Sequence, residues 1–153
     1  MFSLLSGALH TALTPPPLTL LILGVDSSGK TSTLESLKPV YSPSSVAVPL
    51  AKIRPTMGAN SARMMISSTP GAPQASPSPT TYQCTFYDPS GSPGSRSAWS
   101  HYYEDADGVL FVVSTGQPGR MDEVGLLFNS VADEVDCPIA VLVNVVGGAD
   151  DEG

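Results

Sequence analysis

Residues 18–37 of the chain read LTLLILGVDSSGKTSTLESL. An apolar run with strand character, Leu18 to Leu23, enters Gly24-x-x-x-x-Gly29-Lys30-Thr31, and a helical pattern follows. Strand, glycine-rich turn and helix in that order make a phosphate-binding loop, or P-loop. The glycines let backbone N–H groups turn inward around an anion, where a side chain would intrude. Lys30 places a point charge between β- and γ-phosphates, and the Thr31 hydroxyl serves Mg2+. The helix starting near Lys30 aims the positive end of its dipole at the same anion. The candidate phosphate-binding residues are Gly24, Asp26, Ser27, Ser28, Gly29, Lys30, Thr31 and Ser32. A purely structural glycine-rich turn is the competing reading; a strand before and a helix after make chance matches rare.

The rest of the chain bounds what surrounds this loop. Its 153 residues suit one domain with a real core. The net charge of −7, with the acidic excess gathered from Asp88 onward, argues against broad electrostatic binding, so no nucleic-acid partner is expected. Cys84 and Cys137 lie in or beside apolar, strand-like stretches and read as two buried thiols in a reducing compartment. The apolar run 18–25 is too short to span a membrane and is broken by Gly24.

At the N-terminus, MFSLLSGALHTAL lacks a basic region and a cleavage site, so it is not a secretory signal. Phe2, Leu5, Leu9 and Leu13 recur at helical spacing, and the TPPP run at 14–17 closes the pattern. Two readings stand, a helix lying on a membrane or one packed on the domain's own surface. Phe2 follows the initiator, which excludes N-myristoylation, a modification that needs glycine there.

Residues 67–82, SSTPGAPQASPSPTTY, form a Pro/Ser/Thr stretch with no apolar period and read as a disordered loop between the strand-like segments ARMMI and QCTFYD. Further on, Val109 to Val113 read as a buried strand, and Val124, Leu127, Phe128 and Val131 mark a helix. Ile139 to Val143 also read as one buried strand. Alternating strands and helices of this kind predict an α/β fold with a largely parallel central sheet.

KIRPTMGAN, FYDPSG and WSHYYEDADGVLFVV resemble, in order, switch I, switch II and the following strand of the Arf family of small GTPases. MFSLLSGALHTAL and LILGVDSSGKTSTLESLK are similar to a Golgi-associated branch of that family. The resemblance implies a P-loop small-GTPase fold, a three-layer sandwich with a mainly parallel sheet. It implies an N-terminal helix and linker at 1–17 and a GTPase domain at 18–144 carrying the 67–82 insert. It also implies GTP or GDP with Mg2+ as ligands, and slow GTP hydrolysis in Golgi membrane traffic. The expected place is the cytoplasmic face of the Golgi and trans-Golgi network, cycling with cytosol. The N-terminal helix would bind the membrane there together with a membrane-protein receptor. Effectors, an exchange factor and an activating protein are implied but unidentified.

By the same resemblance Thr56 senses Mg2+ and γ-phosphate, Asp88 holds Mg2+ through water, and the Gly91 amide meets the γ-phosphate. For Asp88 the alternative is a turn-forming aspartate before Pro89; Thr56 and the P-loop favour the metal role. Trp99, Tyr102 and Tyr103 fit core packing or effector contact, with packing preferred.

Departures from the family pattern are expected to matter as much. Ser92 stands where the family has its water-orienting glutamine, so no catalytic side chain is assigned. Ser90 replaces a second glycine, and Pro89 and Pro93 stiffen a segment that has to rearrange. Asn144 matches the Asn of the base-reading Asn-Lys-x-Asp motif, but Val145 and Gly147 stand at the Lys and Asp positions, which puts guanine recognition in doubt. Residues 145–153 read as a non-family acidic tail, with the family's last strand and helices missing, as expected of a truncated or mis-spliced product. The alternative function is a non-hydrolysing relative that acts as an interaction module or as no stable product. A P-loop ATPase or nucleotide kinase explains nothing in the switch-like segments.

Overall fold

A computed structural model describes residues 15–42, 44–67 and 80–146. The expected N-terminal helix, most of the Pro/Ser-rich insert and the acidic tail beyond residue 146 lie outside the described residues. Strand β1 (Leu18–Leu23) leads through the P-loop into helix α1 (Lys30–Tyr41). A short 3-10 turn, Leu50–Lys52, precedes the hairpin of β2 (Ala59–Ser67) and β3 (Thr81–Pro89). A longer 3-10 helix, Pro93–Tyr102, leads to β4 (Gly108–Ser114), then α2 (Met121–Glu134) and β5 (Ile139–Asn144).

The sheet order is β2-β3-β1-β4-β5, with β2 antiparallel to β3 and all other pairings parallel. Alternation along the strands splits the core in two. Leu21, Leu23, Val109 and Phe111 face Trp99 and the α2 residues Val124 and Val131. Ile22 and Val112 face the other way, onto Leu34 of α1 with Met64, Cys84 and Phe86. Helix, sheet and helix thus make three layers, as the α/β pattern predicts. Leu34 is fully buried and anchors α1; burying a side chain of that size is worth about 2 kcal/mol.

Two sequence expectations need correction. The hairpin strands reach further than composition suggests: Ser67 ends β2, Thr81 begins β3, and their hydroxyls lie 2.8 Å apart. Thr81 and Tyr82 are good strand formers, and Tyr82 packs on the α1-side core, so the ladder outcompetes the loop there. The strand Ile139–Asn144 forms, but it is not buried. Val141 and Val143 are 54% and 58% exposed. The reason is position: β5 pairs only with β4 at the edge of the described sheet, so an all-apolar sequence meets a partner on one side alone. The two thiols are free; Cys84 is buried and Cys137 only half-buried.

Candidate functional site

Parallel pairing puts the carboxyl ends of β1, β3, β4 and β5 at one edge of the sheet, where open α/β folds bind ligands. The P-loop leaves β1 there, Asp88 is the last residue but one of β3, and Asn144 ends β5. Because β2 is antiparallel, its first residues return to the same edge, and Asn60 pairs with Asp88. A cleft of about 530 Å³ opens at this edge. Its lining includes Asp26, Lys30, Thr31, Thr56, Ser90 and Ser92.

The loop is built for an anion. Gly29 caps α1 with φ of 99°, and a Cβ there would strike the Asn144 amide. No side chain caps α1, and no acidic residue stands in its first turn, so its leading N–H groups are left for a ligand. Thr33, one turn in, closes the helix on the Gly29 carbonyl. Lys30 is buried, and its Nζ donates to the Val25 carbonyl at 2.8 Å. Burial pushes this ammonium down to about 8, while the charges of Asp88 and Asp26 pull it back up. Such a cation is short of counter-charge, and a phosphate would supply it.

A second group of side chains gathers beside the lysine. Thr31 Oγ1 donates to Asp88 Oδ2 at 2.6 Å and lies 2.9 Å from Thr56 Oγ1. Asn60 Nδ2 donates to both Thr56 Oγ1 and Asp88 Oδ2 at 3.2 Å. Asp88 is fully buried, yet its Oδ1 has no hydrogen-bond partner. Two hydroxyls and one carboxylate with an unfilled lone pair fit Mg2+, which prefers oxygen ligands and completes its shell with water and ligand phosphates. Thr31, Thr56 and Asp88 would hold the ion, which when bound would neutralise phosphate charge. The turn-forming alternative for Asp88 does not describe this geometry, since Asp88 is the penultimate residue of a paired strand and points at Thr31.

Gly91 lies against the P-loop: a Cβ there would strike Lys30 Nζ and the Gly24 carbonyl. Trp99, fully buried, donates its indole N–H to the Ser90 carbonyl at 2.9 Å and so ties the segment to the core. Packing, the preferred reading for Trp99, is its role here. Ser92 Oγ donates to Ser95 Oγ at 2.9 Å and lies 3.1 Å from Ser90 Oγ.

Asn144 reaches across to the loop, its Nδ2 donating to the Ser28 carbonyl at 3.1 Å. In this structure it holds the P-loop. Val145 at the lysine position is largely exposed, and Gly147 lies outside the described residues. Ser27 takes a positive φ of 59°, Ser28 is buried with its hydroxyl unpartnered, and Ser32 lines the cleft.

Several contributors escape sequence reasoning. Asn60 is one. Glu35 is another: buried on α1, it accepts from Lys38 at 2.6 Å and from the Val48 amide at 2.7 Å, tying α1 to the approach to Thr56. Arg96, Arg120 and Glu123 are the others. Arg120 Nη2 donates to Asp26 Oδ1 at 2.8 Å, and the Arg120 hydrogen bond holds that carboxyl below its usual range. The only local signal was the i,i+3 spacing of Arg120 and Glu123.

These features accord with a family-wide match over residues 10–150 to the ADP-ribosylation factor (Arf) family. The chain belongs to that family. ADP-ribosylation factor-like protein 3 of Saccharomyces cerevisiae is 34% identical over 147 residues, covering 94% of this chain and 67% of that protein. ADP-ribosylation factor-related protein 1 of Homo sapiens is 28% identical over 144 residues, covering 94% of this chain and 65% of that protein. ADP-ribosylation factor-like protein 6 of Danio rerio is 29% identical over 133 residues, covering 84% of this chain and 60% of that protein. This Arf-family chain thus spans about two thirds of the length of the curated relatives it matches. The family match extends six residues past Asn144, to residue 150.

Proposed function

We propose that this chain is a guanine-nucleotide switch of the Arf type, binding GTP and GDP with Mg2+. The observation that carries the reading is the meeting of Thr31, Thr56 and Asp88 beside a buried Lys30. Thr56 lies outside any helix or strand, and its hydroxyl meets Thr31 while the neighbouring residues Ile53 to Met57 line the cleft. A triphosphate and its metal would hold that segment shut, and loss of the γ-phosphate would release it. Calorimetry with GTP, GDP and ATP in Mg2+ tests this. Lys30→Ala should abolish binding, because the phosphate charge is then uncompensated at the loop's centre. Absence of binding by the unaltered protein would sink the proposal. A strong preference for guanine would show that something other than position 147 reads the base.

Hydrolysis is expected to be negligible, since Ser92 is too short to reach an attacking water and the γ-phosphate together. Its hydroxyl is already engaged with Ser90 and Ser95. That engagement favours one second reading, a nucleotide-binding interaction module that does not turn over.

In this proposal the chain acts at the cytoplasmic face of the Golgi, through effectors, an exchange factor and an activating protein. The support is the sequence resemblance and the apolar spacing of Phe2, Leu5, Leu9 and Leu13 with no Lys or Arg beside it. So small an apolar face gives weak, reversible insertion, and anionic lipid adds little. Vesicle flotation should show almost no binding to pure lipid, whereas binding to Golgi membranes needs a GTP analogue. Tight, nucleotide-independent flotation would remove the switch reading of the N-terminus.

A further inference from the structure

Asp26 is an anomaly in a loop that binds anions: it sets a carboxylate among groups that attract phosphate. The structure shows where its charge goes. Arg120 grips it twice, through Nη2 to Oδ1 at 2.8 Å and Nη1 to the main-chain carbonyl at 3.2 Å, and Arg96 Nη2 stands 3.7 Å from the same Oδ1. Glu123 joins the two arginines, taking Arg96 Nη2 at 2.6 Å and Arg120 Nε at 2.8 Å. Two cations and two anions leave the cluster neutral. Meanwhile Arg96 Nε donates to the Gly91 carbonyl at 2.9 Å. One guanidinium therefore spans the P-loop, the first turn of α2 and the carbonyl of Gly91, the residue packed against the lysine. A planar fork with fixed donors can make these contacts at once; a lysine cannot.

We propose that Arg96 is a positioning residue for the nucleotide: clasped between Asp26 and Glu123, it holds the Gly91 carbonyl, so that Gly91 is fixed on both sides, with Trp99 on the Ser90 carbonyl, and the preference for triphosphate over diphosphate is set. This rests on the reading of the cleft as a guanine-nucleotide site. By the family resemblance the Gly91 amide meets the γ-phosphate, which a diphosphate lacks, so only the triphosphate would benefit from a Gly91 already held in place. The clasp is partly exposed, the Asp26 and Glu123 side chains being 45% and 37% accessible. Its effect should therefore weaken as salt screens it.

The test measures affinities of the full chain for GTPγS and GDP, by displacement of a fluorescent nucleotide in Mg2+. Arg96→Ala should weaken GTPγS about tenfold, the loss of one charge-assisted hydrogen bond, while GDP changes less than about twofold. Arg96→Lys should recover little of the ratio. Glu123→Gln, which leaves every group lining the cleft in place, should lower the ratio in the same direction, and raising salt from about 0.05 to 0.5 M should do so in the unaltered protein. Equal weakening of both nucleotides, full rescue by lysine, or no change in either variant would overturn the clasp while leaving the nucleotide reading intact. Failure of the unaltered protein to bind either nucleotide would overturn both.

Discussion

Single residues decide whether this site could turn over its ligand. Lys30, Thr31, Thr56 and Asp88 are the groups proposed to hold phosphate and Mg2+; the P-loop spacing pointed to Lys30 and Thr31, the family resemblance to Thr56 and Asp88, and the fold brings the four together. Ser92 is the exception. Its hydroxyl is engaged with Ser90 and Ser95, and in the proposed site a serine there is too short to orient an attacking water. Ser92→Gln should speed single-turnover phosphate release, by about 100-fold if the remaining groups are assembled as the geometry indicates. An unchanged rate would locate the fault in the proline-bounded segment 89–93 instead. What could not be read at this scale was Asn60. Its role follows only from lying opposite Asp88 in an antiparallel register.

Elements are joined by charge as well as by apolar packing. The 3-10 helix Pro93–Tyr102 meets the first turn of α2 through Arg96 and Glu123, and Arg120, the residue just before α2, meets the P-loop. The hydrogen bonds from Arg120 and then Arg96 hold the Glu123 carboxyl down at about 2. A carboxylate lowered in the folded state stabilises the protein above its unfolded value of 4.5, and that stability is lost as pH falls towards 2. The urea midpoints of the unaltered protein and Glu123→Gln should therefore differ by a constant amount from pH 7 to 5. They should converge between about pH 4.5 and 2, and salt should shrink the gap because the pair is accessible. A gap that persists at pH 2 would mean that Glu123 acts through packing. Periodicity alone placed α2 and its buried Val124 and Val131 correctly, because that face packs on the sheet whatever the charges do.

At the scale of the whole molecule, the sheet is asymmetric. Its β1 centre is buried on both faces, whereas β5 shows Val141 and Val143 on one face, with Val145 and Val146 exposed just beyond. An accessible apolar edge strand is a site for self-association. For this chain, Val143→Lys should reduce concentration-dependent association in sedimentation velocity while moving Tm by no more than about 2 °C, as expected of a surface change. Unaltered association together with a large fall in Tm would show that Val143 is covered in solution. Among the described residues no helix is long and apolar enough to cross a membrane.

The sequence by itself determined the P-loop, its flanking strand and helix, the alternation of elements and the family. All of these rest on short-range physics: glycine where backbone must approach an anion, a period of two in strands, and leucines one turn apart on α1. The tertiary structure decided which distant groups meet. Arg120 finds Asp26 across 94 residues, and Asn144 finds Ser28 across 116. Such contacts depend on strand order and on which ends of the strands share an edge, so no local pattern announces them. The same holds for β5. Its residues Ile139 to Val143 are apolar enough for a core strand, and only its place at the edge of the described sheet leaves Val141 and Val143 in water.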